Sequence, residues 1–150
     1  MIKIDIGCGE NKKKGYIGID KYKGREVDYI IDLEKEKLPF ENDSVDAIYC
    51  SHTLEHINNI FWLMEECYRI LKPQSKFHII VPYFRSRIAF QDPAHVRFFT
   101  EATFKKYFGS NYLSQYYNNQ RKCNFEQTFL MIRGQNFDNL IMEVYLKAIK

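Results

Sequence analysis

Residues 50–58 read CSHTLEHIN and contain His52-x-x-Glu55-His56. This is the H-x-x-E-H order in which some zinc peptidases set two imidazoles one helical turn apart, with the glutamate as base. That chemistry needs both histidines on one continuous helix and a third protein ligand farther along. Here the string starts at the end of an apolar run, VDAIYC (45–50), and Asn58-Asn59 interrupts it before the next helical pattern. The two imidazoles need not converge, and the expectation is that no metal is bound.

A second set of candidates stands at the ends of short β-rich runs. IKIDI (2–6) leads into Gly7-Cys8-Gly9, GYIGID (15–20) ends in Asp20, and VDYIID (27–32) ends in Asp32. VDAIYC leads into Ser51 and His52, and KFHIIVP (76–82) stops at Pro82 before Tyr83. Glycines permit a tight turn and let a ligand approach the backbone. An acid ending the second run can take both hydroxyls of a ribose in charge-assisted bonds. Asp32 can accept from an exocyclic amine while Leu33 covers a flat base. Each has a bland alternative when taken singly, a turn glycine or a loop acid. A dinucleotide site fits poorly: the third glycine of G-x-G-x-x-G would fall at Lys12, and no helix follows to aim its N-terminus at a pyrophosphate. Lys12, Lys13 and Lys14 then read as a solvated basic loop.

These residues need elements to hold them. The early runs are nearly continuously apolar, which predicts burial on both faces and parallel pairing. FEQTFLMIRG (125–134) and LIMEVYLKAI (140–149) read as two strands of a hairpin. IFWLMEECYRILK (60–72) carries Ile60, Leu63, Met64, Cys67, Tyr68 and Leu71 on one helical stripe, with Asn59 as N-cap and Pro73 as stop. Glu65 and Arg69 are spaced for a pair on its wet face. TEATFKKYF (100–108) reads as a second helix capped by Thr100. Only Gly9 to Lys14 separate the first two strands, too few for a crossover helix, so the sheet should be thinly covered on one side.

A chain of 150 residues fits one domain over 1–150, with 45% hydrophobic and 27% charged residues as in ordinary globular proteins. The net charge of +3 is too small to argue for nucleic acid, without excluding it. Residues 83–122 hold seven basic side chains (Arg85, Arg87, Arg97, Lys105, Lys106, Arg121, Lys122) against Asp92 and Glu101. Such a region suits an anionic or aromatic partner, although a solvated face explains it equally well. Cys8, Cys50, Cys67 and Cys123 form no C-x-x-C pair, Met1 runs straight into a strand, and no apolar stretch approaches membrane-spanning length. The expected address is cytoplasmic, with reduced thiols.

Taken in order, IDIGCGE, GYIGIDKY, DLEKEKLPFENDSVDAIYCSHTLEHI and CYRILKPQSKFHIIVP resemble a small class I S-adenosylmethionine-dependent methyltransferase, most closely over residues 2–82. The resemblance implies a Rossmann-like α/β fold. Its sheet would be mostly parallel and seven-stranded, with a C-terminal antiparallel hairpin. The sequence departs from the family pattern in its reduced helix cover, with no long helix after G-x-G, and in having no N-terminal lid. The resemblance implies S-adenosylmethionine as cofactor, with Asp5, Gly7, Cys8 and Gly9 at the methionine end, Asp20 at the ribose and Lys21 among the cofactor-binding residues. Asp32 and Leu33 would meet the adenine edge, and Ser51 and His52 the region beside the sulfonium. QDPAHVRFFT (91–100) resembles the segment that closes over substrate in some members.

The implied activity is methyl transfer to an unidentified acceptor, anionic or aromatic. The alternative is a non-catalytic S-adenosylmethionine-binding partner subunit or a degenerate relative. A general base is needed only if the acceptor must lose a proton. His95, in the covering segment, is the first candidate and His56 the second, with a loop-fixing histidine as the competing reading of His95. Tyr83, Arg85 and Arg97 are candidates for the acceptor. The thin cover and missing lid leave self-association open.

Overall fold

The computed structural model describes residues 1–109 and 123–150; Arg121 and Lys122 of the basic region lie outside them. The elements run β1 (Lys3–Ile6), β2 (Ile17–Asp20), β3 (Tyr29–Ile30), β4 (Val45–Ser51), α1 (Ile60–Ile70), β5 (Leu71–Pro82), α2 (Ala102–Tyr107), β6 (Phe125–Arg133) and β7 (Ile141–Ala148). They form one seven-stranded sheet in the order β3-β2-β1-β4-β5-β7-β6. The first five strands are parallel, and β7 runs antiparallel between β5 and β6. The strand order reverses between β1 and β4. A ligand crevice therefore belongs at the carboxyl ends of these two strands.

β1 and β2 are joined by a loop with no helix, and its own hydrogen bonds hold it. Gly7 N–H donates to Ile19 O at 2.7 Å, and Asp5 Oδ2 accepts from Lys13 N at 2.7 Å. α1 packs on one sheet face through Ile60, Leu63, Met64, Cys67 and Ile70, all buried. Each large apolar side chain buried this way is worth about 1.5–3 kcal/mol. α2 joins the same face, with Phe61 of α1 5.2 Å from Phe108 beyond α2. The opposite face carries an aromatic row across the strands. Tyr49 lies 5.0 Å from His78, His78 stacks at 4.3 Å on Tyr145, and Tyr145 lies 5.2 Å from Phe129. Among the described residues no helix packs over that row, as the short first connection predicts.

Four expectations need correction. β3 is a two-residue edge strand with Tyr29 and Ile30 exposed, so its apolar run does not reflect burial on both faces. α1 ends at Ile70, two residues early, because Leu71 already pairs with Val45. Pro73 sits in a bulge of β5 where Gln74 has φ +64°, and pairing resumes at Lys76. The carboxylate that meets Arg69 is Glu66, where the spacing pointed to Glu65. Arg69 Nε and Nη2 reach its two oxygens at 2.8 and 2.6 Å, and burial makes this the stronger arrangement. Finally, α2 starts at Ala102 with Glu101 rather than Thr100 at its cap position. The Asn59 cap is as expected, its side chain accepting from Trp62 N.

Candidate functional site

A cleft of about 480 Å³ opens at the carboxyl ends of β1, β2 and β4. Gly7, Asp20, Lys21, Asp32, Leu33 and His52 line it, as the sequence suggested, together with Tyr22, Glu34, Thr53, His56, Ile57 and Ala94. Gly7 makes the first wall possible. Its φ is +68°, and a Cβ there would lie 2.1 Å from Thr53 Oγ1, so β1 and the turn after β4 touch only because position 7 has no side chain. Thr53 in turn donates toward the carbonyls of Ser51 and Ile6, at 3.1 and 3.4 Å.

Asp20 ends β2 with each carboxylate oxygen anchored once. Oδ2 accepts from Gly9 N at 2.9 Å and Oδ1 from Tyr22 N at 3.0 Å. A carboxylate oxygen accepts more than one bond, so both retain capacity for further donors. Asp32 accepts from Glu34 N at 3.1 Å and stands 3.6 and 3.5 Å from Lys21 and Lys35. The Glu34 amide and these two cations hold its carboxyl below the usual range. The Glu34 side chain accepts from Asn58 N at 2.6 Å, joining the loop after Asp32 to the turn before α1.

Asp5 and Cys8 support the cleft from behind it. Asp5 is 2% exposed and bound to Lys13 N. Burial raises its carboxyl above the ordinary value, against the lowering effect of that amide and of Lys13. Burial also pushes the Cys8 thiol up to about 11. Gly9 contributes its N–H to Asp20, and Ser51 completes β4 without reaching the cleft wall.

His52 sits at φ +52°, a left-handed conformation rare for a residue with a side chain, and its N–H is held by Ile80 O at 2.9 Å. Leu54–His56 form one 3-10 turn, so His52 and His56 share no helix, as the interruption at Asn58-Asn59 suggested. His56 instead meets His95, their rings 4.7 Å apart. The covering segment is pinned to the turn by two backbone bonds, Val96 N and Arg97 N to Glu55 O, at 2.8 and 3.1 Å. The Arg97 guanidinium donates to the carbonyls of Ile57 and Asn58. It therefore acts as a latch for this segment rather than facing the cleft. Tyr83 is buried with its hydroxyl on Glu101, and Arg85 lies over the Phe84 ring. Neither lines the cleft. His95 also stays behind the wall, with Nδ1 on Ala89 O at 3.0 Å, which matches the loop-fixing reading.

Sequence reasoning missed Thr53, Tyr22, Glu34, Ile57 and Ala94. Thr53 and Ala94 enter only through long-range contacts, and no spacing marks them. Tyr22 and Glu34 follow Asp20 and Asp32 by two residues, and that adjacency was the available signal.

The family description "Methyltransferase domain" matches residues 13–79. Solved structures of S-adenosylmethionine-dependent methyltransferases match nearly the whole chain. The chain has the fold of class I S-adenosylmethionine-dependent methyltransferases. The enzyme from Mesorhizobium loti superposes with a TM-score of 0.67 at 13% identity, covering 97% of this chain and 90% of that one. The Archaeoglobus fulgidus enzyme gives 0.67 at 18%, covering 97% and 85%. A chain from the Haloferax volcanii complex of the Trm112 methyltransferase activator gives 0.66 at 14%, covering 99% and 83%. Among curated proteins, the sterol 4-C-methyltransferase of Caenorhabditis elegans is 38% identical over 48 residues. That match spans 32% of this chain and only 14% of that protein. The methyltransferase-domain match over residues 13–79 and the fold together imply S-adenosylmethionine as the cofactor. No helix among the described residues is long and apolar enough to cross a membrane.

Proposed function

We propose that the chain binds S-adenosylmethionine in the cleft between Gly7, Asp20, Asp32 and His52 and transfers its methyl group to an acceptor entering beside His52 and His56. The observation that carries this reading is the Asp20 carboxylate, fixed by two backbone amides on the cleft wall with acceptor capacity left on both oxygens. It suits the paired hydroxyls of a ribose. Asp32 and Leu33 would take the adenine edge and face, with Ile57 on the same wall. Lys21 would help orient Asp32, and Gly9 would hold Asp20 toward the sugar. The close backbone approach at Gly7 leaves room for the methionine end, with Asp5 and Cys8 keeping its loop in shape.

Methyl transfer from a sulfonium needs alignment and exclusion of water more than acid or base groups. Proximity alone is worth roughly 7–11 kcal/mol for well-oriented reactants. The acceptor class stays open, because fold does not fix substrate. Titration calorimetry with S-adenosylmethionine, on wild type and Asp20→Ala, tests the reading. Loss of a hydrogen bond to a charged group, about 1.5–3 kcal/mol, should weaken binding roughly ten- to a hundred-fold. Equal affinity of the two proteins would remove the ribose assignment.

A second reading has its own support. The aromatic row that no described helix covers and the likeness to a chain from an activator complex favour a subunit that works with a partner. Cofactor binding without turnover by the isolated chain, across an acceptor screen, would favour it.

A further inference from the structure

Three side chains that the cofactor reading leaves unused converge at the edge of the cleft. Glu55, His56 and His95 come from two distant segments, and their ligand atoms all lie within 4.8 Å of one another. Glu55 is 1% exposed, and among the described residues neither of its carboxylate oxygens has a hydrogen-bond partner. A buried carboxylate in that state is costly unless a cation or a donor serves it.

Both imidazoles are arranged to present Nε2. His56 Nδ1 lies 3.2 Å from Ala94 O and His95 Nδ1 lies 3.0 Å from Ala89 O. A carbonyl oxygen only accepts, so each Nδ1 carries the proton and each neutral ring keeps its lone pair on Nε2. A ring N–H bound to a backbone carbonyl is the usual outer support of a metal-binding histidine. In a tetrahedral site, donors at about 2.1 Å from one cation stand roughly 3.4 Å apart, so binding would draw these three side chains together.

We infer that Glu55, His56 and His95 form a binding site for one divalent transition-metal cation at the wall of the cleft. Two imidazoles and one carboxylate suit zinc, cobalt, iron or manganese better than magnesium, which prefers oxygen ligands. Three protein ligands leave coordination positions open, as in sites that take a further ligand rather than purely structural ones. His56 lines the cleft, so the cation would border it. Asp92 Oδ2, 3.8 Å from His95 Nε2 and half exposed, is the nearest further acid. The rival explanation is local: His52 Nδ1 stands 3.3 Å from Glu55 Oε1, and an N–H on that nitrogen would serve the carboxylate by itself. The inference does not rest on methyl transfer, and its test uses no turnover.

The test starts from chelator-stripped full chain, titrated separately with zinc, cobalt, manganese and magnesium by calorimetry and thermal unfolding. Expected is one equivalent of zinc or cobalt bound, a visible absorption band for cobalt, a raised melting temperature, and magnesium the weakest. Glu55→Gln and His95→Ala should each weaken binding at least tenfold, a margin comparable to losing even an outer-shell support. Cys8→Ser and Cys50→Ser should not. Two results would overturn the site. One is wild-type protein that fails to saturate with any of the four cations at about 1 mM, weaker than the ordinary range of specific binding. The other is binding that His95→Ala leaves unchanged, which would put the cation elsewhere. The wild-type titration stands even if a variant fails to fold.

Discussion

Replacing Gly7 by alanine should damage the protein in a way its surroundings let us quantify. The left-handed backbone at φ +68° costs an alanine about 1–2 kcal/mol. The new Cβ would also lie 2.1 Å from Thr53 Oγ1 and 2.4 Å from Thr53 Cγ2, where ordinary contacts begin near 3.4 Å. Relief by moving the backbone is hindered, because Gly7 N–H is bonded to Ile19 O at 2.7 Å. Overpacking of this kind adds about 1–3 kcal/mol. The sum, about 2–5 kcal/mol, lowers the melting temperature of a chain this size by roughly 5–20 °C. Thr53→Gly removes the three atoms nearest the new Cβ. In that background the cost of Gly7→Ala should fall to the backbone part, giving a coupling of about 1–3 kcal/mol in a double-mutant cycle. Urea unfolding of the four proteins measures it. Equal costs of Gly7→Ala in both backgrounds would refute the claim that position 7 is a glycine because of Thr53.

Other outcomes follow from the same structure. Arg69→Ala strands the buried Glu66 carboxylate and frees the carbonyls of Leu38 and Phe40, so it should cost about 2–4 kcal/mol in urea unfolding. That is slightly below a fully buried pair, because Arg69 is a quarter exposed. Asp5 and Glu66 should give opposite pH dependences. Burial raises the Asp5 carboxyl, so its contribution is present below the unfolded value near 3.9 and is lost as pH rises through the folded value. Burial would raise Glu66 too, but Arg69 and the Leu38 amide outweigh it and hold it low. Its contribution is therefore present above the unfolded value near 4.3 and is lost as pH falls. Unfolding midpoints measured against pH for Asp5→Asn and Glu66→Gln should deviate from wild type in opposite directions. All four thiols are buried, and burial raises those of Cys8, Cys50 and Cys67. A thiol-reactive chromophore should modify the folded protein far more slowly than the urea-unfolded chain.

What the sequence made legible was whatever each strand places at its own end. Gly7, Asp20, Asp32 and His52 follow directly on apolar runs, and a parallel sheet collects such ends on one side. The α1 stripe and the final hairpin are also local patterns. The illegible part depends on contacts between distant segments. Nothing near Thr53 announces that it fills the space above Gly7. The meeting of Glu55 with His95 depends on two backbone bonds from Val96 and Arg97 across some forty residues of chain. Arg97 shows the same limit: its charge suggested an anionic ligand, and the carbonyls of Ile57 and Asn58 claim it instead. β3 misled because an apolar run at a sheet edge looks the same in sequence as one at the centre.

The central claim concerns a cofactor gripped at the strand ends, and a crystal structure grown with S-adenosylhomocysteine tests it most directly. The account predicts the ribose hydroxyls on Asp20, the adenine beside Asp32 and Leu33, and the homocysteine chain passing Gly7. Density for the nucleoside away from this cleft, or a complex in which Asp20 touches nothing of the ligand, would contradict it.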